Sequence, residues 1–306
     1  MIDITLENIQ SDLIEASNAQ PVLLDIWAEW CGPCKQLGPV LEKLEADYGG
    51  RFALAKLDAD KVPQISQQLS QMFGVRSIPF CVLFDAGQPV DGFVGAIPET
   101  EIRQFLDKHV ASAEEAEAEE AGDQAQDALQ EGDTQSALEK LQYAVATDPA
   151  NDDARFDYVK LLLQQGHNDD AKVAFAPVID KVATVRRFDS LQRWMDAIDS
   201  EATHADLEKA ETAFDARIAA NKRDFDARFA RAQWLMARQR WTDALDELLD
   251  ILMRDKAWSE ELARKTYIAI LDIIDPPKPK VADGQIPPED ATVASYRRRL
   301  SSVILS

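Results

Sequence analysis

Three cysteines, three histidines and twelve glycines in 306 residues leave this chain poor in the raw material of disulfide frameworks, metal clusters and glycine-rich phosphate loops. Positive charge is short as well. The 33 Lys and Arg stand against 55 Asp and Glu, a net charge of −22 that repels phosphate backbones and excludes a general nucleic-acid binder. No stretch approaches the roughly 18 uninterrupted apolar residues of a membrane helix. Even residues 21–28 are broken by Asp25. The first residues carry no basic flank, apolar run or small-residue cleavage site, so the expected location is the cytoplasm. What is present is a 46% apolar content, enough for about two domains with proper cores.

Residues 1–110 alternate short strand-like and helix-like pieces punctuated by Gly and Pro. Strands are predicted at 22–27, 52–57, 80–84 and 90–94, and helices at 6–17, 33–48, 62–73 and 99–109. The order α, β, α, β, α, β, β, α predicts a mixed sheet covered by helices. From 111 to 133 there are nine acidic residues and no basic one, with Ala filling most of the rest. Ala and Glu favour helix, so 111–121 is read as an acidic helical linker.

Beyond it the chain repeats. Gly132 and Ala137 are matched 34 residues later by Gly166 and Ala171, which is the tetratricopeptide period. The run Asp153-Ala154-Arg155-Phe156 recurs 73 residues on as Asp226-Ala227-Arg228-Phe229, and Asp170-Ala171 as Asp243-Ala244. Helical hairpins are therefore expected at 118–150, 152–182 and 225–256, with a longer, degenerate unit between the last two; an unrelated helical bundle is the alternative. The repeats are assigned 122–275. Pro276, Pro277 and Pro279 break the helices, and a segment from 276 to 306 closes the chain. Within it Val293, Tyr296, Leu300, Val303 and Ile304 recur at helical spacing around Arg297, Arg298 and Arg299.

The chemistry is carried by Trp27-Ala28-Glu29-Trp30-Cys31-Gly32-Pro33-Cys34-Lys35, which follows a buried strand and opens a helix. A thiolate at Cys31 would sit at a helix N-terminus, where unpaired amides and the dipole lower a thiol pKa toward about 7. Cys31 is then the attacking sulfur and Cys34, one turn further in and expected to be buried, the resolving one. Asp25 lies in an apolar strand, where a carboxylate pKa should rise. Zinc is the competing use of such a pair. A structural site needs four ligands, and only Cys81, His109, His167 and His204 remain, scattered, so no metal is assigned. Cys81 reads as a packed core thiol.

With Asp25, Pro39, Lys56, Ile78-Pro79 and Gly95-Ala96 at separated positions, residues 1–110 closely resemble thioredoxin. The resemblance implies that Asp25 accepts the proton of Cys34, with Lys56 either tuning it or lying on the surface. It further implies that Pro79 is a cis-proline beside the active site. Trp30, Gly32, Pro33, Ile78, Gly95 and Ala96 would form the client-contact surface. No cofactor is implied beyond the redox-active Cys31–Cys34 disulfide.

The whole chain, an N-terminal α/β thioredoxin fold followed by an all-α tetratricopeptide-like solenoid and a Tyr-Arg-Arg-Arg-Leu tail, resembles the bacterial chaperedoxins, redox-linked co-chaperones. That resemblance implies a holdase for unfolding or oxidised clients, a mixed disulfide through Cys31, and delivery to the chaperonin or another ATP-dependent foldase. Thioredoxin reductase is a further partner to expect. The matching tail residues for chaperonin docking are Tyr296, Arg297, Arg298, Arg299, Leu300, Val303 and Ile304, the alternative being a helix that caps the solenoid. A dedicated protein-disulfide reductase, its repeats selecting one partner, is the competing functional reading.

Overall fold

The computed structural model describes residues 2–202, 207–277 and 288–305. It divides into two compact units, Met1–Glu117 and Ala118–Ser306. The first holds strands β1 (Ile2–Asp3), β2 (Val22–Trp27), β3 (Ala53–Asp58), β4 (Phe80–Asp85) and β5 (Gln88–Val94). Its helices are α1 (Gly32–Asp47), α2 (Pro63–Phe73) and α3 (Glu99–Leu106). The sheet order is β1-β3-β2-β4-β5, with β1, β3 and β2 parallel and β4 and β5 antiparallel to their neighbours.

Every residue of β2 from Val22 to Ile26 is buried, Asp25 included. That is what an unbroken apolar run means when helices cover both faces of a sheet. One face packs Leu24, Ile26, Ala55, Leu57, Phe80 and Val82, and the other Leu23, Leu37, Leu41, Leu54, Leu83 and Ile102.

One expectation is corrected here, and one element is added. The helix predicted over 6–17 is a wide π turn at Gln10–Glu15 running into a tight 3-10 turn at Ala16–Asn18. Ser17 explains the tightening: its hydroxyl donates to the carbonyl of Ile14 and accepts from the amide of Gly87, tying the segment to the β4–β5 turn. Strand β1 was not foreseen, because two residues carry no readable period.

The second unit is all helix. Helix α4 (Ala113–Gln130) contains the division between the units, and α5 (Thr134–Thr147), α6 (Asp152–Gln164), α7 (Asn168–Phe175), α8 (Arg186–Ala202) and α9 (Leu207–Ala220) follow. Then come α10 (Phe225–Ala237), α11 (Trp241–Leu252), α12 (Trp258–Ile274) and α13 (Ala291–Leu305), with a 3-10 turn at Ala176–Lys181 after α7. Ala125, Ala137 and Ala144 are fully buried, as close helix pairing requires.

The repeats are visible atom by atom. Gly132 and Gly166, each ending the first helix of a hairpin, have φ of +80° and +77°, and 73 residues after Gly166 the same left-handed position is held by Gln239 at +57°. Asn151 caps α6 by accepting from the amide of Ala154, and its counterpart Asp224 caps α10 from Ala227. Arg155 and Arg228 are both buried. Arg155 donates to the carbonyls of Pro149 and Ala174, while Arg228 donates to the carbonyl of Lys222 and the carboxylate of Glu247, the residues 73 further on.

Helix α13 packs on α11 and α12. Val293, Tyr296 and Leu300 are buried, with Val303 and Ile304 half-buried against the same core.

Candidate functional site

Cys31 is the N-cap of α1, in extended conformation, and its Sγ accepts a hydrogen bond from the amide of Cys34 at 3.2 Å. Gly32 and Pro33 are the first two helical residues; a proline there forfeits no helical bond, because those amides are unpaired in any case. Cys31 and Cys34 form a disulfide. Both are only 3% exposed, so burial does not separate their roles as the sequence suggested. What separates them is that Cys31 sits at the positive end of the helix, while Cys34 lies inside its first turn.

The Ile78–Pro79 bond is cis. Ile78 packs with Trp27 and Ala28 against both cysteines, and Pro79 accepts from the amide of Gly95 at 2.8 Å. Gly95 has φ of +87°, with open space where a Cβ would point, so glycine is needed there for backbone conformation alone. Trp30 is 71% exposed, Gly32, Pro33 and Ala96 are exposed, and Ile78 and Gly95 are half-buried. The structure thus gathers Cys31, Cys34, Ile78 and Pro79 and leaves an accessible rim beside them.

One rim contact was not foreseen. The indole N–H of Trp30 donates to Asp60 at 2.9 Å, and Glu29, Asp58, Asp60 and Lys61 share its depression. Thirty residues separate the partners, so no local spacing could have shown it.

Asp25 is 1% exposed and stands in register with Lys56 on β3 and Cys81 on β4. Burial pushes its carboxyl up to about 6, against the lowering effects of the Lys56 charge and the Cys81 hydrogen bond and with a smaller upward push from Glu42. The Lys56 ammonium lies 2.5 Å from Glu42 of α1, and its side chain is largely covered. It is therefore no loose surface lysine. Burial also pushes the Cys81 thiol well up.

Among the described residues no His, Cys, Asp and Glu group is arranged to hold a metal ion. His109 pairs with Asp91 at 2.9 Å and His167 is exposed near Asp170; His204 lies outside the described residues.

The tail differs from its expectation. Tyr296 and Leu300, assigned to docking as exposed apolar groups, are 9% and 8% exposed. The Tyr296 hydroxyl meets Asp246 at 3.3 Å, its carbonyl accepts from Tyr267, and Arg299 pairs with Asp246. Arg297 is engaged by Asp275 and Glu289. Covering α11 and α12 buries more apolar surface than exposing the stripe, so the apolar side of α13 packs on those helices. Arg298 and Leu305 face solvent. Of the proline segment, 278–287 lies outside the described residues, while Pro276 and Pro277 line a depression with Asp157 and Lys160.

A cysteine pair at a helix N-terminus beside a cis-proline, with a buried carboxylate in the strand that precedes it, suits thiol–disulfide exchange on an α/β scaffold. A thioredoxin family model matches residues 1–108, and two tetratricopeptide repeat models match 128–195 and 203–304. The chain is 42% identical over 106 residues to a thioredoxin of Chlorobaculum thiosulfatiphilum, covering 35% of this chain and 93% of that one. It is 43% identical over 90 residues to thioredoxin 1 of Nostoc sp. (29% and 80%) and 47% over 88 to a thioredoxin of Staphylococcus aureus (29% and 81%). Through this domain the chain belongs to the thioredoxin family, and tetratricopeptide repeats follow it.

Proposed function

We propose that this protein is a redox-linked co-chaperone: a thiol–disulfide oxidoreductase whose helical array binds unfolding or oxidised clients. The observation that carries it is the joining of the Cys31–Cys34 disulfide, on a thioredoxin domain, to a repeat array of a kind that holds proteins and has no chemistry of its own.

In the reduced protein the Cys31 thiolate attacks a client disulfide, forming a mixed disulfide and releasing one client thiolate. Cys34 gives its proton to Asp25 and attacks the Cys31 sulfur; the Cys31–Cys34 disulfide forms and the second client thiol leaves. Two electrons pass from protein to client, and a dithiol donor such as thioredoxin reductase must restore them. Pro79, with Trp30, Gly32, Pro33, Ile78, Gly95 and Ala96, offers the backbone and apolar rim that hold an extended client. Delivery to the chaperonin or another ATP-dependent foldase completes the reading. Contact there would rest on the outward face of α13, with Arg298 and Leu305, because Tyr296 and Leu300 serve the core.

The test is light scattering from a chemically denatured client in reducing buffer, with wild type and the Cys31→Ser, Cys34→Ser double variant. Suppression by both is expected, with only the wild type reducing insulin. If neither suppresses aggregation, in reduced or oxidised form, the co-chaperone reading falls. The packing of α13 favours one second reading, a dedicated disulfide reductase whose repeats select a single partner.

A further inference from the structure

Once Cys31 and Cys34 are joined, Cys81 is the single thiol left in the chain, and it is fully buried. The structure does not leave it among apolar groups alone. Cys81 pairs in register with Asp25 across β2 and β4, and its Sγ lies 3.8 Å from the Asp25 Oδ1. That distance suits a hydrogen bond with sulfur as donor, since an ionised carboxylate can only accept.

The other charged groups about Asp25 are accounted for. Lys56 stands opposite on β3, its ammonium held by Glu42 of α1, and α1 also supplies the disulfide, which does not titrate. The hydrogen bond that the structure shows on the Asp25 carboxylate is the one from Cys81. Deep burial disfavours the Cys81 thiolate, so the thiol keeps its proton and remains a donor throughout the neutral range.

We propose that Cys81 is a positioning residue of the exchange site: its S–H donates to the Asp25 carboxylate and fixes the orientation in which that group takes and returns the Cys34 proton. This rests on the reading of Asp25 as proton acceptor. An alanine at 81 leaves the ionised carboxylate without its donor, so Asp25 clings to its proton to higher pH. A serine restores a donor of similar size.

The experiment titrates Asp25 in the oxidised full-length chain by carboxyl ¹³C NMR, in wild type, Cys81→Ala and Cys81→Ser. The expected result is a midpoint about half a pH unit higher in the alanine variant, and a return toward wild type in the serine variant. The pH profile of insulin reduction should shift with it. A second measurement needs no variant. The infrared S–H stretch of the oxidised wild type arises from Cys81 alone and should move to lower frequency as Asp25 ionises. An alanine midpoint equal to wild type, or an S–H band fixed through the Asp25 titration, overturns the assignment of Cys81. An Asp25→Asn variant with an unaltered rate profile overturns instead the parent reading of Asp25, and with it the catalytic consequence.

Discussion

Asp25 ties the exchange site to the stability of its sheet. Its carboxyl rises from 3.8 to about 6 because burial disfavours the charge. The folded state therefore binds the proton more tightly than the unfolded chain, and the associated stability is full below pH 4 and lost as pH rises through about 6. Ionising Asp25 inside the protein costs about 3 kcal/mol by this difference. Asp25→Asn should accordingly make the amides of β2 slower to exchange than wild type at pH 8, by up to about 3 kcal/mol, with no gain at pH 4. An equal difference at both values would contradict the buried-charge account. At this scale the sequence was informative: a lone Asp among Val22, Leu23, Leu24 and Ile26 already announces a strained carboxylate. It gave Cys81 as a core thiol but not its contact with Asp25, nor that of Trp30 with Asp60, because cross-strand register and a contact thirty residues apart leave no mark in local spacing.

A second residue-scale prediction concerns Arg228, whose guanidinium is 4% exposed and meets Glu247 at 2.7 Å and Asp250 at 2.8 Å. Removing one member of a buried ion network strands the others, so Arg228→Ala should lower the stability of the helical array by about 3 kcal/mol in urea unfolding. Asp226→Ala, two residues away and on the exposed side of the same helix, should change it by less than about 0.5 kcal/mol.

Helices and turns give a test in which one substitution has two signs. Gly132 has φ of +80° and Gly122 lies inside α4, and a Cβ at either would meet nothing within 4 Å. Sterics being equal, only backbone conformation decides. Gly132→Ala should cost about 1 kcal/mol, and Gly122→Ala should gain about 0.5 to 1 kcal/mol, in thermal unfolding followed by circular dichroism. The elements that the sequence predicted well are those with such local signatures: α1 behind its capping Cys31, α2 opened by Pro63 and closed by Gly74, and the hairpins at the 34-residue glycines. Helix α12 and the irregular turns at 10–18 were not separated out, since tertiary contacts rather than spacing shape them. Phe229 is half-buried, packed against the core of the array with its ring tilted against Trp258 at 5.4 Å.

At the scale of the folded unit, α13 is part of the packed core. Its apolar stripe completes the core built by α11 and α12, and Tyr296 is locked by Asp246 and Tyr267. Tyr296→Ala should therefore destabilise the array by about 3 kcal/mol, whereas Arg298→Ala should leave stability unchanged. Capture by an immobilised chaperonin, compared across the two variants, separates surface recognition from simple loss of fold: binding lost only with Arg298 marks the outward face as the contact.

Helix α8 touches α6, α10 and α12, and its Trp194, wholly buried, meets the ring of Trp241 edge-on at 4.9 Å. An ideal stack in which each repeat meets only its neighbours melts from its ends, one repeat at a time. A helix shared among three others removes that freedom. Heat should take the array apart in a single calorimetric step rather than by fraying, and a client bound anywhere along it would raise the melting temperature of the whole.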